Sequence, residues 1–226
     1  MSTEIAGYPV VLRLSGRRCV VIGGGEVARR KVAGLLAADA RIEVIAPYLH
    51  PELLALPGIE LTCRPFLPDD LCGAFLAFAA TNDRNVNAAI AAAARQLGVP
   101  VNIADDPEES DFHLPAILSR GDLLVAVSSG GSSPAFAAEL RDHLATKLGP
   151  EWELFCAVAG ALRQKRLTDG EASAYNRAVI SDLFAADLPL LLSHQDEAAI
   201  DRCLTAVTGI KITLADLGIH FGKGTT

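Results

Sequence analysis

Three consecutive glycines follow a short run of mostly β-branched residues near the start of the chain. Gly23, Gly24 and Gly25 come directly after residues 19–22, and Ala28 lies three residues further on. Gly23, Gly25 and Ala28 have the spacing of the dinucleotide fingerprint: one residue makes the turn, one lets the backbone approach a pyrophosphate, and one packs helix against strand. Backbone N–H groups at the start of the next helix then face an anion above the turn. The pattern predicts a dinucleotide site, and an ordinary glycine turn is the alternative.

Polar side chains follow two apolar stretches that are typical of buried strands. Thr81 opens a polar triplet after residues 75–80, and Asn102 lies within the predicted strand 99–104, which Asp105 follows. Ligands of open α/β sheets bind at the carboxyl ends of strands. We expect the strand over residues 99–104 to lie beside the glycine turn and to bring Asp105 to the mouth of the cofactor cleft. A carboxylate there can complement hydride transfer as an acid or base, contributing roughly 10²–10⁴ in rate. An aspartate-stabilised turn before a proline is the alternative.

The loop after the second predicted strand bears on the choice between NAD and NADP. Residues 41–46 have the pattern of a strand, and Pro47 ends it. Many NAD-binding proteins place an acidic residue at the end of this strand to bind the ribose hydroxyls. Here Glu43 is in the middle of the strand, so we expect backbone groups or the loop of Pro47 and Tyr48 to hold the ribose. Because no arginine stands in this loop to bind a 2′-phosphate, the sequence favours NAD over NADP.

The composition argues against several classes of function. The 226-residue chain carries a formal net charge of −7, whereas nucleic-acid binding needs a basic surface. No apolar run approaches the ~20 residues that cross a bilayer, and the first residues lack the pattern of a secretory signal. We therefore expect a cytoplasmic protein that binds neither nucleic acid nor membrane. The histidines and cysteines show no metal-ligand spacing, so we expect no permanent metal site and reduced, buried thiols.

The order of the predicted elements indicates an α/β fold with a Rossmann-type, doubly wound parallel sheet. An edge strand over residues 9–14 leads into the strand before the glycines. From that strand onwards the order is β-α-β-α-β-β-α-β, which ends near residue 113. The carboxyl ends of these strands are expected to position both the glycine turn and the polar side chains.

The composition changes after this domain. A strand over residues 123–127 is followed by a serine- and glycine-rich turn, and Ser133 with Pro134 has the pattern of an N-cap and a first helical position. The turn and the capped helix together form a predicted anion site. Residues 151–226 are predicted to be mostly helical, with one helix over residues 172–192.

Five short blocks of the sequence carry a resemblance to a known family. The blocks are Gly23–Ala28 with Lys31, Ala79–Asp83, Asn102 with Asp105, Phe112 with Pro115, and Ala126–Gly131 with Pro134. In this order and at these spacings they resemble the precorrin-2 dehydrogenase / sirohydrochlorin ferrochelatase family, which is also the amino-terminal module of siroheme synthase. The resemblance implies NAD⁺-dependent oxidation of precorrin-2 to sirohydrochlorin. It also implies a homodimer with a Rossmann domain (1–113), a small α+β dimerisation domain (114–150) and a helical domain (151–226).

The resemblance also implies roles for individual residues. Glu26 and Val27 match contacts of the cofactor turn, and Pro47 and Tyr48 match the contact loop after the second strand. Asp105 matches the family's key aspartate, which is used in dehydrogenation and implicated in chelation. The predicted catalytic residue is therefore Asp105. The predicted cofactor site consists of Gly23, Gly25, Glu26, Val27, Pro47, Tyr48, Thr81 and Asn102.

The implied substrate, precorrin-2, is a polycarboxylate, so an acidic protein must bind it through local cations and helix amino termini. The turn at Ser128, Ser129 and Gly130 is expected to bind a propionate, and Arg120 is a candidate cation. His113 stands where related siroheme synthases carry an apolar residue, and it is included in the predicted substrate site. For Arg120 and His113 a solvent-facing or packed side chain is the alternative. Further candidate arginines are Arg13, Arg17 and Arg141.

Two other classes of function stay open at this point. One is a different NAD-dependent oxidoreductase on the same scaffold, and the other is a non-catalytic module that senses NAD. The resemblance also leaves open whether the chain inserts Fe²⁺ into sirohydrochlorin, because some members only dehydrogenate. In that reaction Fe²⁺ would be a substrate.

Overall fold

The structure is a computed structural model that describes residues 7–168 and 177–221, with residues 166–168 described by their backbone alone. The chain divides into two compact units, residues 1–114 and 115–226. The finer division of the second unit near residue 150 stays a prediction.

The first unit is built on a five-stranded sheet in which all neighbouring strands are parallel. The strand order is β3-β2-β1-β4-β5. The predicted Rossmann-type parallel sheet is therefore confirmed. The strands are β1 (Arg18–Ile22), β2 (Arg41–Ile45), β3 (Ile59–Thr62), β4 (Leu76–Ala79) and β5 (Val101–Ile103). The helices of this unit are α1 (Glu26–Ala37), α2 (Pro51–Leu54) and α3 (Arg84–Leu97).

The sheet is covered on both faces, which is why β1 and β4 are continuous apolar runs. On one face α1 buries Ala28, Val32 and Leu35 in a core that also contains Phe78. On the other face α3 buries four apolar positions in a second core. The sheet thus holds the start of α1 and the start of α3 at its carboxyl edge. The α3 positions are Ile90, Ala91, Ala93 and Ala94.

Two predictions about this unit are wrong. Residues 9–14 form no strand and are mostly exposed, because local β-propensity does not make a strand without a partner to pair with. The strand β5 is also not beside the glycine turn. The connection through α3 places β5 on the far side of β4, so β5 lies about 10 Å from β1 at the usual strand spacing.

The second unit begins with an antiparallel hairpin. Strands β6 (Ala116–Arg120) and β7 (Leu123–Val127) pair around Gly121, whose φ of +55° suits glycine. Helix α4 (Pro134–Ala145) packs on this hairpin and starts at the predicted N-cap, since the Ser133 hydroxyl accepts a bond from the Phe136 N–H. The hairpin and α4 therefore form the α+β part of the unit.

The rest of the second unit is helical and has its own core. The predicted helix over residues 172–192 is divided: Asp187 adopts a φ of +51° and separates α6 from α7, while residues 172–176 lie outside the described part. Leu183, Leu192 and Leu204 are among the buried residues of the core between these helices. The helices are α5 (Glu151–Thr168), α6 (Arg177–Ala185), α7 (Leu188–His194) and α8 (Glu197–Thr208).

Candidate functional site

The glycine turn between β1 and α1 tolerates no side chain at its first two positions. Gly23 has a φ of +130°, and a Cβ there would lie 2.2 Å from the carbonyl oxygen of Ala80. A Cβ at Gly24 would lie 1.9 Å from the carbonyl oxygen of Tyr48. The segments that follow β4 and β2 therefore enclose the turn from both sides.

Gly25 differs from both of its neighbours. It is the N-cap of α1 with a φ of −92°, no side chain caps the helix, and a Cβ at this position would meet no atom within 4 Å. The backbone is thus bare and exposed where the positive end of a helix faces outward, as a pyrophosphate requires. Glu26 and Val27 are also exposed beside it. These residues fit a dinucleotide.

The loop after β2 forms the rim of this turn. Pro47 and Tyr48 are exposed, and the His50 N–H donates to the Gly24 carbonyl at 2.8 Å, which ties the loop to the turn. On the helix side, the Arg29 guanidinium makes two 2.7 Å bonds to the Glu26 carboxylate. These bonds hold the pKa of Glu26 below its usual value. The rim therefore has an exposed aromatic ring on one side and a paired carboxylate on the other.

A polar network joins β4 and β5 at their carboxyl edge. Its centre is Asn87 of α3, which is only 3% exposed. Its amide Nδ2 donates to Asp105 Oδ1 at 2.9 Å and to the Thr81 carbonyl at 3.1 Å. Its Oδ1 accepts from the Thr81 hydroxyl at 2.7 Å. The structure thus brings together Thr81 and Asp105, which were both predicted site residues, through Asn87, which was not.

Asp105 stands at the edge of a concavity of about 350 Å³ that runs along α3. Its side chain is 39% exposed, and Arg84 Nε lies 3.9 Å from its Oδ2. The concavity does not include the glycine turn. The bare backbone of the turn fits a pyrophosphate, and the concavity is space beside Asp105. The concavity is lined by Arg84, Asn87, Ala88, Ala91, Arg95, Ile103, Asp105, Asp106 and Glu109.

On the other face of the sheet, α1 reaches β5 through Lys31. The Lys31 ammonium donates to Asn102 Oδ1 at 2.5 Å and lies over the Phe78 ring, 5.5 Å from its centroid. Asn102 is 7% exposed, and its Nδ2 donates to the Phe112 carbonyl at 2.8 Å. Burial lowers the pKa of Lys31 from its usual value, and the charge of Arg30 adds to the effect. Asn102 is therefore held on both sides by groups of its own unit.

The predicted anion turn lies in the second unit. The Ser128 hydroxyl accepts from the Gly130 N–H at 3.2 Å, and the Ser129 hydroxyl accepts from the Ser133 N–H at 2.9 Å. Gly130 adopts a φ of +63°, which glycine favours. The turn is thus ordered by its own serines ahead of α4. Whether it binds substrate stays a prediction.

Two other predicted substrate residues have different surroundings. Arg120 Nε donates to the Leu148 carbonyl at 2.9 Å, and its other nitrogens donate to the carbonyls of Ser119 and Ala145. The guanidinium therefore binds backbone carbonyls of β6, of the end of α4 and of the segment after α4, which argues for a structural role. His113 is exposed.

Sequence reasoning missed three residues of the site. Gly24 is not one of the fingerprint positions. It must be glycine because a side chain there would collide with the loop at Tyr48. Asn87 interrupts the apolar face that Ala91 and Ala94 continue at helical spacing, and this interruption was the available signal. Lys31 was noted only as part of a motif.

All five cysteines are free, but Cys63 and Cys72 are exposed, so the prediction of buried thiols is wrong for these two. Burial raises the pKa of the Cys19 thiol to about 11. Within residues 7–168 and 177–221, no three His, Cys, Asp or Glu side chains gather in a way that could hold a metal ion. In the same part of the chain, no helix has the length and apolar character to span a membrane.

Two family models match adjacent parts of the chain. Residues 10–116 match the model described as "Putative NAD(P)-binding", and residues 120–147 match the model described as "Sirohaem biosynthesis protein central". Together they cover more than half of the chain. The first match lies on the unit that contains the glycine turn, and the second on the hairpin and α4.

Curated relatives are similar to this chain in sequence, and a solved structure is similar to it in fold. Siroheme synthase of Nitrosomonas europaea is 45% identical over 161 residues, which are 70% of this chain and 34% of the relative. Siroheme synthase 1 of Aeromonas salmonicida is 38% identical over 198 residues, 86% of this chain and 42% of the relative. The chain thus spans about two fifths or less of the length of these relatives. The solved structure of SirC, precorrin-2 dehydrogenase, has the same fold, with a TM-score of 0.67, 23% identity, and coverage of 90% of this chain and 100% of the other.

Proposed function

We propose that this chain, which matches an NAD(P)-binding model and a sirohaem-biosynthesis model and is similar to siroheme synthases, oxidises precorrin-2 to sirohydrochlorin with NAD⁺. The observation that carries the proposal is that two features lie at the carboxyl edge of the same sheet. A bare helix start at Gly25 fits a pyrophosphate, and Asp105 is held at the end of β5 beside an open concavity. A module that only senses NAD needs the first feature but not the second.

Different residues of the chain bind the cofactor and accept the proton. Gly23 and Gly24 keep the turn tight, and Gly25 leaves space for the pyrophosphate. The bound dinucleotide would supply the hydride acceptor. Oxidation removes a hydride and a proton from the substrate, and the Asp105 carboxylate is the group placed to receive the proton. Asn87 and Thr81 hold that carboxylate at the sheet edge.

We further propose NAD as the cofactor. The exposed loop of Pro47 and Tyr48 follows β2, and it offers no arginine for a 2′-phosphate. The ratio of kcat/KM for NAD⁺ to that for NADP⁺ tests this, and a ratio below one would reverse the assignment. The five free cysteines suit a reducing compartment, which supports a cytoplasmic location.

Iron insertion into sirohydrochlorin is a second candidate function. Asp105 is partly exposed beside open space, so its carboxylate can accept pyrrole N–H protons without a dinucleotide. Purified sirohydrochlorin with Fe²⁺ or Co²⁺ under anaerobic conditions tests the idea. Wild type no faster than buffer would remove this activity, and Asp105→Ala as fast as wild type would remove Asp105 from it.

We propose that the chain forms a homodimer mainly through residues 114–150. The outward face of the hairpin exposes Ile117 and Leu124, and α4 exposes Phe136. A two-stranded ribbon is marginal in water unless its apolar surface is covered. Light scattering should report twice the chain mass at micromolar concentration and a smaller mass for Ile117→Asp. A wild-type monomer would contradict the proposal.

The main test of function is turnover of enzymatically made precorrin-2 with NAD⁺. We expect sirohydrochlorin absorbance to grow together with NADH, one for one. Calorimetric binding of NAD⁺ without turnover would leave the sensing module as the better interpretation. Turnover of other hydroxyl or amine substrates in place of precorrin-2 would favour a different oxidoreductase.

A further inference from the structure

We infer that Asn87 is a positioning residue for Asp105: it fixes one carboxylate oxygen at the sheet edge, so that the other oxygen faces the concavity and receives the proton. The inference rests on the proposed function, because it concerns the residue assigned there as the proton acceptor. Its experiment is chosen so that either idea can fail without the other.

The burial of Asn87 calls for an explanation. The side chain is 3% exposed on a helix face that otherwise buries Ile90, Ala91 and Ala94. Burying an amide costs free energy unless its hydrogen bonds are made, and an apolar side chain would fill the same space without that cost. Asn87 satisfies its amide entirely with Thr81 and Asp105.

The bonds of Asn87 also fix which way its amide points. The main-chain N–H of Thr81 can only donate, and it lies 3.3 Å from Asn87 Oδ1. The carbonyl of Thr81 can only accept, and it lies 3.1 Å from Nδ2. Asn87 must therefore present N–H to Asp105, and Asp105 Oδ1 accepts it at 2.9 Å.

The second carboxylate oxygen of Asp105 is held far more loosely. Arg84 Nε lies 3.9 Å from Oδ2, and the Arg84 side chain is 90% exposed. Such an exposed pair is weak, so a substrate can displace it. The other charged groups around the concavity are Asp106, Glu109 and Arg95, and Arg95 is bonded to Glu109. Oδ2 is thus the oxygen that is free to meet substrate.

The substitution Asn87→Asp tests the inference with almost no change of shape. It replaces the amide donor by a second carboxylate against Asp105, and two adjacent carboxylates share a proton at higher pH than one alone. We expect the acid limb of the kcat/KM profile for precorrin-2 to move up by about one pH unit. We also expect the affinity for NAD⁺ to stay within about twofold, because the turn at Gly25 is untouched.

Asn85→Asp is the matched control. Asn85 is exposed two residues earlier on α3, so this variant changes the charge of the same helix by the same amount. Its profile should superimpose on that of wild type. The inference is overturned if Asn87→Asp leaves the profile in place, or if Asn85→Asp moves it as far.

A second variant and a second measurement protect the test from a folding defect and from failure of the proposed function. Asn87→Ala removes the donor without adding charge, and we expect kcat to fall about tenfold with the NAD⁺ affinity retained. Wild-type kcat in Asn87→Ala would overturn the inference. The titration of Asp105, followed by its carboxyl carbon in NMR, needs no substrate and should move to higher pH in Asn87→Asp. An unmoved titration overturns the inference even if wild type oxidises precorrin-2, whereas an inactive wild type with a moved titration overturns only the proposed function.

Discussion

The glycine turn and the β4–β5 edge lie at the same carboxyl end of one sheet, yet they are built by opposite means. The turn is made of backbone, and its shape follows from the side chains that Gly23, Gly24 and Gly25 lack. The edge is made of side chains, with Asn87 bonded to Asp105 at 2.9 Å. One region offers shape and N–H groups, and the other offers a carboxylate.

This difference determines how each region should respond to change. At the turn, an added Cβ either meets backbone at 1.9–2.2 Å or meets nothing, so effects should be steric and close to all-or-none. At the edge, a changed side chain leaves the backbone in place and alters proton transfer or charge, so effects should be graded.

The largest effect is expected from the same substitution at two adjacent glycines. Gly24→Val places a branched side chain against the Tyr48 carbonyl and should cost about 4 kcal/mol or more of unfolding free energy. Gly25→Val meets no protein atom and should cost about 1 kcal/mol or less, but it should weaken NAD⁺ binding by at least ~100-fold. Urea unfolding and calorimetry measure the two quantities.

The contrast between these two variants is itself the control. Gly25→Val with wild-type NAD⁺ affinity would show that the pyrophosphate does not lie over this turn. Gly24→Val with wild-type stability would show that the loop at Tyr48 can move away, and the turn would then be less closed than the structure indicates.

A smaller effect is expected at the edge. Asp105→Ala removes the proton acceptor, so turnover of precorrin-2 should fall by about 10² or more. The NAD⁺ affinity should be nearly unchanged, because the loss falls on the transition state. Steady-state kinetics measure the turnover, and calorimetry measures the NAD⁺ affinity. Oxidation at the wild-type rate would show that Asp105 is not the proton acceptor. A parallel loss of NAD⁺ affinity would show that Asp105 also belongs to the cofactor site.

The smallest effect is expected from Lys31, which joins α1 to β5. Burial lowers the pKa of Lys31 below its ordinary value of 10.5, so over the window beneath that value the unfolded chain binds more protons than the folded chain. Stability of the wild type should therefore rise with pH through this window, and Lys31→Met should lack the rise. Urea midpoints at pH 7 and pH 10 give the comparison, with Lys147→Met as the exposed control. Equal pH dependence in wild type and Lys31→Met would contradict the burial of this ammonium.

The sequence by itself determined the local features of this protein. The glycine turn, the buried parallel strands and the Ser133 cap each follow from residues close together in the chain, and the structure confirms these three. Local patterns suffice there because strand burial, caps and tight turns depend on a few consecutive residues.

Only the tertiary structure decided which residues meet. Asn87 and Asp105 are 18 residues apart, and Lys31 and Asn102 are 71 apart. Gly24 is required only because the segment at Tyr48 crosses it, and residues 9–14 are not a strand because none of the described strands pairs with them. Pairings of this kind depend on strand order and helix placement. A local sequence pattern does not specify the strand order, because that order is set by the packing of the whole sheet.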